Sequence, residues 1–331
     1  MNKLFHRIVF GFPNLNKLFY EFEKKEAKIQ SFERIIISGL ARSGTTSLLR
    51  ELVNNDFACS LTYRNMPLIL APKVQNLLNY FSKSNENSFE RSHGDGIMIN
   101  GYSSEAFDEV FFQVYEGNSY IFKNQLNEYH SKYVNDYIDY INYFLNFNNK
   151  NIYICKNNNH IIRLPQIIES KKFKIFITFR NPLTHVYSLA NQDLIHKNLQ
   201  IKNNFILDYM NYLGHYEFGR NIKYFNFYNS KLNILDYVGN DFWLVMWINY
   251  YDYLLTLLKK YDNINLVSFE DWCTKDKLLL NYIEKITGIS LSNINVYSVP
   301  NKATFPINDN LLIIAENIFK ELQIKYKSQF L

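Results

Sequence analysis

The chain has 331 residues, 47% of them hydrophobic, enough to bury the core of one large α/β domain. Its 36 basic and 31 acidic residues leave a net charge of +5 dispersed along the chain, which suits an anionic ligand and argues against nucleic-acid binding through a basic patch. Cys59, Cys155 and Cys273 are odd in number and lie in apolar or mixed contexts, which argues against a disulfide framework and for a reducing, cytoplasmic setting.

In chain order, Leu4, Phe5, Ile8, Val9 and Phe12 come first and fall on one helical face, with Lys3, His6 and Arg7 nearby. Residues 1–32 are read as an N-terminal helical extension whose apolar face packs on the main domain, 33–331. Contact with the inner face of a membrane would be peripheral at most. No apolar run reaches the roughly 18 residues of a membrane span, and the first residues carry no signal-peptide pattern.

Ile35 to Leu49, IIISGLARSGTTSLL, is an apolar strand running into a Gly39-x-x-x-x-Gly44 turn and a helix start. Such a turn cradles phosphate through helix N-terminal N–H groups and the positive end of the helix dipole. The P-loop of nucleotide hydrolases carries Lys directly after the second glycine, where this chain has Thr45; the cation has moved to Arg42. The hydroxyls of Thr45 and Thr46 complete an anion site changed from the ATP-hydrolysing pattern.

Strand signals then alternate with helical stretches, which predicts a P-loop-type three-layer sandwich: a central parallel sheet flanked by helices. Arg34 to Ser38 reads as the first strand and Thr45 to Asn54 as its helix; Ile152 to Cys155 and Phe173 to Phe179 read as later core strands, followed by Lys156 and Arg180. Ligands of open parallel sheets bind beyond the strands' carboxyl ends, so Arg42, Lys156 and Arg180 are expected to converge. Pro182 starts a helix that places Ser188 about two turns in, where it and Arg180 can share one phosphate.

Arg42-Ser43-Gly44-Thr45-Thr46, with Arg180 and the serine eight residues later, resembles the sulfotransferases that use 3′-phosphoadenosine-5′-phosphosulfate, PAPS. The arginine before SGTT is similar to the protein-tyrosine and bacterial branches, and the likeness runs from about Arg34 to Asp271. It implies that the loop holds the 5′-phosphosulfate, that Arg180 and Ser188 read the 3′-phosphate, that Lys156 stands by the bridging oxygen, and that Phe269 of Phe-Glu-Asp lies by the adenine. It further implies direct in-line sulfuryl transfer without a metal, giving 3′,5′-ADP.

On the acceptor side, Leu61 to Pro67 resembles the segment after the phosphate loop in the tyrosine sulfotransferases. Arg64 and Pro67 match, and Thr62 replaces the glutamate base. Arg91-Ser-His-Gly-Asp-Gly96 is the replacement, with His93 as general base and Asp95 beside it, because imidazole takes protons near neutrality and the flanking glycines permit a tight turn. A carbohydrate, such as a surface polysaccharide or glycolipid precursor, is the expected acceptor. The alternative is a P-loop kinase or nucleoside phosphotransferase, and a non-enzymatic glycan-binding module is a third reading. Oligomeric state is not legible in the sequence.

Overall fold

The computed structural model describes residues 3–24, 32–81, 89–90, 98–291, 295 and 305–331. Five parallel strands form the central sheet: β1 (Glu33–Gly39), β2 (Ala58–Cys59), β3 (Ile152–Lys156), β4 (Lys174–Phe179) and β5 (Ile264–Ser268), in the order β2-β3-β1-β4-β5. The predicted sheet is therefore present, with β1 at its centre. Ile35 to Ile37 are at most 1% exposed, as a strand covered on both faces requires. Parallel register sets Ile37 of β1 beside Lys156 of β3 and Gly39 beside Thr178 of β4, so the strands' carboxyl ends share one edge.

The helices used below are α1 (Lys3–Gly11), α2 (Asn14–Glu23), α3 (Thr45–Val53), α4 (Glu109–Glu116), α5 (Pro182–Lys202), α6 (Asn204–Leu213), α7 (Gly239–Lys260) and α8 (Phe269–Thr274). None of the described helices is long and apolar enough to cross a membrane. Trp243 and Trp247 lie within α7 and are buried, so they belong to the core.

The apolar face read at the N-terminus is split by the fold. α1 turns His6, Val9 and Phe10 inward, where Phe10 stacks on Tyr212 of α6 at 4.3 Å between centroids, while Leu4, Ile8 and Phe12 stay largely exposed. α2 is fixed more firmly. Asn16 donates to the Tyr212 hydroxyl at 2.7 Å, and the Glu23 carboxylate accepts from Val74 N–H at 2.9 Å and from the Tyr143 hydroxyl at 2.7 Å. The three cysteines are free thiols.

Candidate functional site

The loop between β1 and α3 is held from beneath. Gly39 has no room for a side chain: a Cβ there would lie 2.2 Å from Thr178 Oγ1. Ser43 is fully buried, and its hydroxyl bonds the Leu40 carbonyl at 2.6 Å and Thr178 Oγ1 at 2.5 Å. Ser43 therefore shapes the loop by its side chain. Arg42 takes φ 70°, a left-handed conformation costly for a residue with a Cβ, and Gly44 follows at φ 95°. Thr45 and Thr46 open α3, whose first-turn N–H groups have no acceptor within the helix.

Two carbonyls of this loop are tied to α5 and the exit of β4. His185 Nε2 donates to the Ala41 carbonyl at 2.7 Å, and Arg180 Nη1 donates to the Arg42 carbonyl at 3.0 Å. Burial, together with the charges of Arg180 and Arg42, pushes the His185 imidazole down to about 3, so it stays neutral. These two bonds hold the loop's carbonyls from behind.

Arg180 is 3% exposed. Its Nε donates to Thr184 Oγ1 at 3.1 Å, its guanidinium lies 4.5 Å from the Phe269 ring centre, and its Nη2 has no hydrogen-bond partner among the described residues. A buried guanidinium nitrogen without an acceptor is costly and fits an anionic ligand at that edge. Burial, reinforced by the Arg42 charge and opposed by Glu270, lowers the Arg180 guanidinium to about 10, still charged at neutral pH. The strand exit around it is fixed by Trp247, whose indole donates to the Arg180 carbonyl at 3.3 Å, and by Glu270, which accepts from Asn181 N–H at 2.9 Å. Asn181 caps α5 by accepting from Leu183 and Thr184 N–H, with Pro182 in the first helical position.

Ser188 stands in the second turn of α5, as its spacing predicts, and its hydroxyl accepts from Arg42 Nε at 3.3 Å. Arg180 thus reaches the Arg42 backbone while Arg42 reaches Ser188, and the two sequence signals form one linked unit. Phe269 begins α8 with its ring edge against the loop, where a Cβ on Gly44 would come within 2.7 Å of it. Gly44 is therefore needed twice, for its positive φ and for this contact.

Lys156 ends β3, 8% exposed, with Nζ 3.5 Å from Glu105 Oε1. The residue after it is anchored to a buried ion pair that spacing alone did not reveal. Asn157 Nδ2 donates to Glu109 Oε2 at 2.7 Å, and Arg163 grips both oxygens of Glu109 at 2.8 and 2.9 Å. Tyr120 also donates to Glu109. Burial alone would lower the Arg163 guanidinium, but the charge and bonds of Glu109 outweigh it and hold it above its ordinary range.

Beside this pair, the fully buried Asp108 accepts from the hydroxyls of Tyr137 at 2.7 Å and Tyr153 at 2.6 Å. Desolvation pushes its carboxyl up to about 6, from about 3.9 in an unfolded chain. A raised acid lends stability that is full below about pH 4 and lost as pH rises through 6. Asp108→Asn keeps the acceptor for both tyrosines and removes the charge. It is expected to gain about 1–2 kcal/mol above pH 7, less than the full linkage because its amide lacks an acceptor, and nothing near pH 4; urea unfolding at the two pH values checks this.

Arg64, expected from the sequence on the acceptor side, lies over the ring of the exposed Tyr102 at 4.5 Å and donates to its hydroxyl, within the turn Tyr63–Asn65. His93 and Asp95 fall outside the described residues.

Neither a protein-family model nor a curated relative matches the chain. Among solved structures it is similar to a sulfotransferase from Mycobacterium tuberculosis H37Rv, with TM-score 0.47 and 11% identity over 94% of this chain and 81% of that one. It is also similar to sulfotransferases from Mycobacterium avium (TM-score 0.43, 10% identity, 96% and 72% covered) and Alicyclobacillus acidocaldarius (TM-score 0.39, 12% identity, 91% and 96% covered). Each of these three structures is a bacterial sulfotransferase.

Proposed function

We propose that the chain is a sulfotransferase that moves the sulfuryl group of PAPS to a hydroxyl of an acceptor, most simply a carbohydrate, by direct in-line displacement. The observation that carries this reading is the linked pair of arginines. Arg180 is buried, bonded to the Arg42 carbonyl at 3.0 Å, and has an Nη2 without a partner among the described residues, while Arg42 reaches Ser188 at 3.3 Å. Two cations and a hydroxyl assembled on a pinned loop suit a ligand with two separate anionic ends, as PAPS has and ATP lacks at its 3′ position.

In this reading Arg180 and Ser188 bind the 3′-phosphate, the N–H groups and hydroxyls of Thr45 and Thr46 receive the 5′-phosphosulfate, and Phe269 borders the adenine. Sulfuryl transfer forms a bond from the acceptor oxygen to sulfur as the bond from sulfur to the bridging oxygen breaks, leaving negative charge on the departing phosphate. Arg42 and Lys156 meet that charge, which is greater in the transition state than in the ground state. Arg64 and Asp95 belong to the acceptor side, and the protein works in the cytoplasm, touching a membrane at most peripherally.

Calorimetry and thermal melts test the donor assignment. 3′,5′-ADP without metal is expected to bind and, at about 100 times its Kd, to stabilise the fold by about 2.7 kcal/mol, whereas ATP with magnesium should not. Stabilisation by magnesium-ATP alone would instead support a kinase. Acceptors gaining one sulfate from PAPS, detected by mass spectrometry, identify the second substrate.

A further inference from the structure

Removing a proton from the acceptor hydroxyl requires a base near the sulfur, and in this reading Lys156 marks the leaving side of that centre. Glu105 Oε1 lies 3.5 Å from Lys156 Nζ, and the residue is 5% exposed. It sits on a short, fixed stretch of backbone: Glu105 N–H donates to the Leu61 carbonyl at 3.3 Å, and Ser104 pairs with Thr62 in an antiparallel bridge. Glu105 thus lies beside the Leu61–Pro67 segment read as lining the acceptor side, and that segment itself offers Thr62 and Arg64, neither of which accepts a proton at neutral pH.

A buried carboxylate is costly unless paired, and here Lys156 and the N–H of Ala106 at 3.1 Å are among its partners. In the sulfotransferase reading Lys156 would be shared between Glu105 and the bound donor. An anionic donor that drew the ammonium toward its bridging oxygen would take it away from the Glu105 carboxylate, 3.5 Å away here.

We propose that Glu105 is the catalytic base of the transfer, restrained by Lys156 until the donor binds. The inference rests on the sulfotransferase reading. The acceptor O–H proton passes to the Glu105 carboxylate as the acceptor oxygen bonds sulfur, and the electron pair of the broken bond goes to the phosphate oxygen met by Lys156. No further reactant is needed.

The test uses the full chain, radiolabelled PAPS and a mixture of sugars and phenols as acceptors. Glu105→Gln is expected to bind 3′,5′-ADP within about threefold of the wild type, and to turn PAPS over ~100-fold more slowly or worse, the usual scale for a lost base. Glu105→Ala should recover turnover with added formate and more strongly with acetate, the stronger base. A carboxylate that merely positions Lys156 would be restored equally by both, and that result would overturn the proposal. So would a Glu105→Gln enzyme retaining more than about a third of wild-type turnover beside a His93→Ala enzyme that loses it, since the base would then be the histidine. Should Glu105→Gln fail to fold, Glu105→Asp gives the same contrast, with intact 3′,5′-ADP binding and reduced turnover. Wild-type protein that neither binds 3′,5′-ADP nor releases sulfate from PAPS would remove the sulfotransferase reading itself, an outcome visible before any variant is made.

Discussion

Arg180→Ala is expected to weaken 3′,5′-ADP binding by roughly 100-fold while leaving the protein folded. A charge-assisted bond to a phosphate is worth about 1.5–3 kcal/mol, and a forked contact places the loss toward the upper end, close to two decades in Kd. The loop loses something as well, because Nη1 no longer holds the Arg42 carbonyl. His185 still grips the neighbouring Ala41 carbonyl, so the loop shape should largely persist. Arg180→Lys is expected to be nearly as weak as alanine. One ammonium cannot bond Thr184, the Arg42 carbonyl and a ligand in the planar fork that arginine provides. Calorimetry with 3′,5′-ADP, paired with a melting curve for each variant, measures this. An unchanged Kd in Arg180→Ala would remove Arg180 from the 3′-phosphate site.

The parts of this site legible in the sequence are those written in contiguous residues. Ile35 to Ile37 gave β1, Pro182 gave the start of α5, and the run of β4 put Arg180 at a strand end. Parallel topology then brought Arg42, Lys156 and Arg180 to one edge, as strand–helix alternation predicts. The missing parts are partnerships across large sequence separations. Nothing local marks Glu109 as the partner of Arg163, 54 positions away, or Glu105 as the neighbour of Lys156, 51 away. His185 reads as an ordinary helical histidine until the fold sets it under Ala41. Periodicity also shows that α1 has apolar positions without showing which of them the fold covers: Val9 is buried while Leu4 and Phe12 are not. Ser188 stands along α5 where its spacing puts it, and its bond from Arg42 Nε, 146 positions away, is another partnership that nothing local marks.

Arg163→Met should be the most destabilising single change near the site, costing about 3–5 kcal/mol. Arg163 is fully buried, stacked 4.0 Å from the Phe112 ring centre and 4.8 Å from that of Tyr120, and paired at both nitrogens with a carboxylate only 2% exposed. Methionine fills much of the volume, so the loss comes from leaving the Glu109 carboxylate without its cation, with Tyr120 and Asn157 its remaining donors among the described residues. Glu109→Gln in the same chain removes that stranded charge. The double variant is therefore expected to recover more than half of the loss, with the difference between single and double variants read from urea unfolding. Activity should follow a different course. Asn157 hangs from Glu109 directly after Lys156, so loosening this anchor displaces Lys156 even where stability returns, and the double variant should fold well and turn over slowly. A single Arg163→Met that cost under about 1 kcal/mol would mean that Glu109 takes up a proton or reaches solvent once its partner is gone, and that Lys156 is held by its own strand alone.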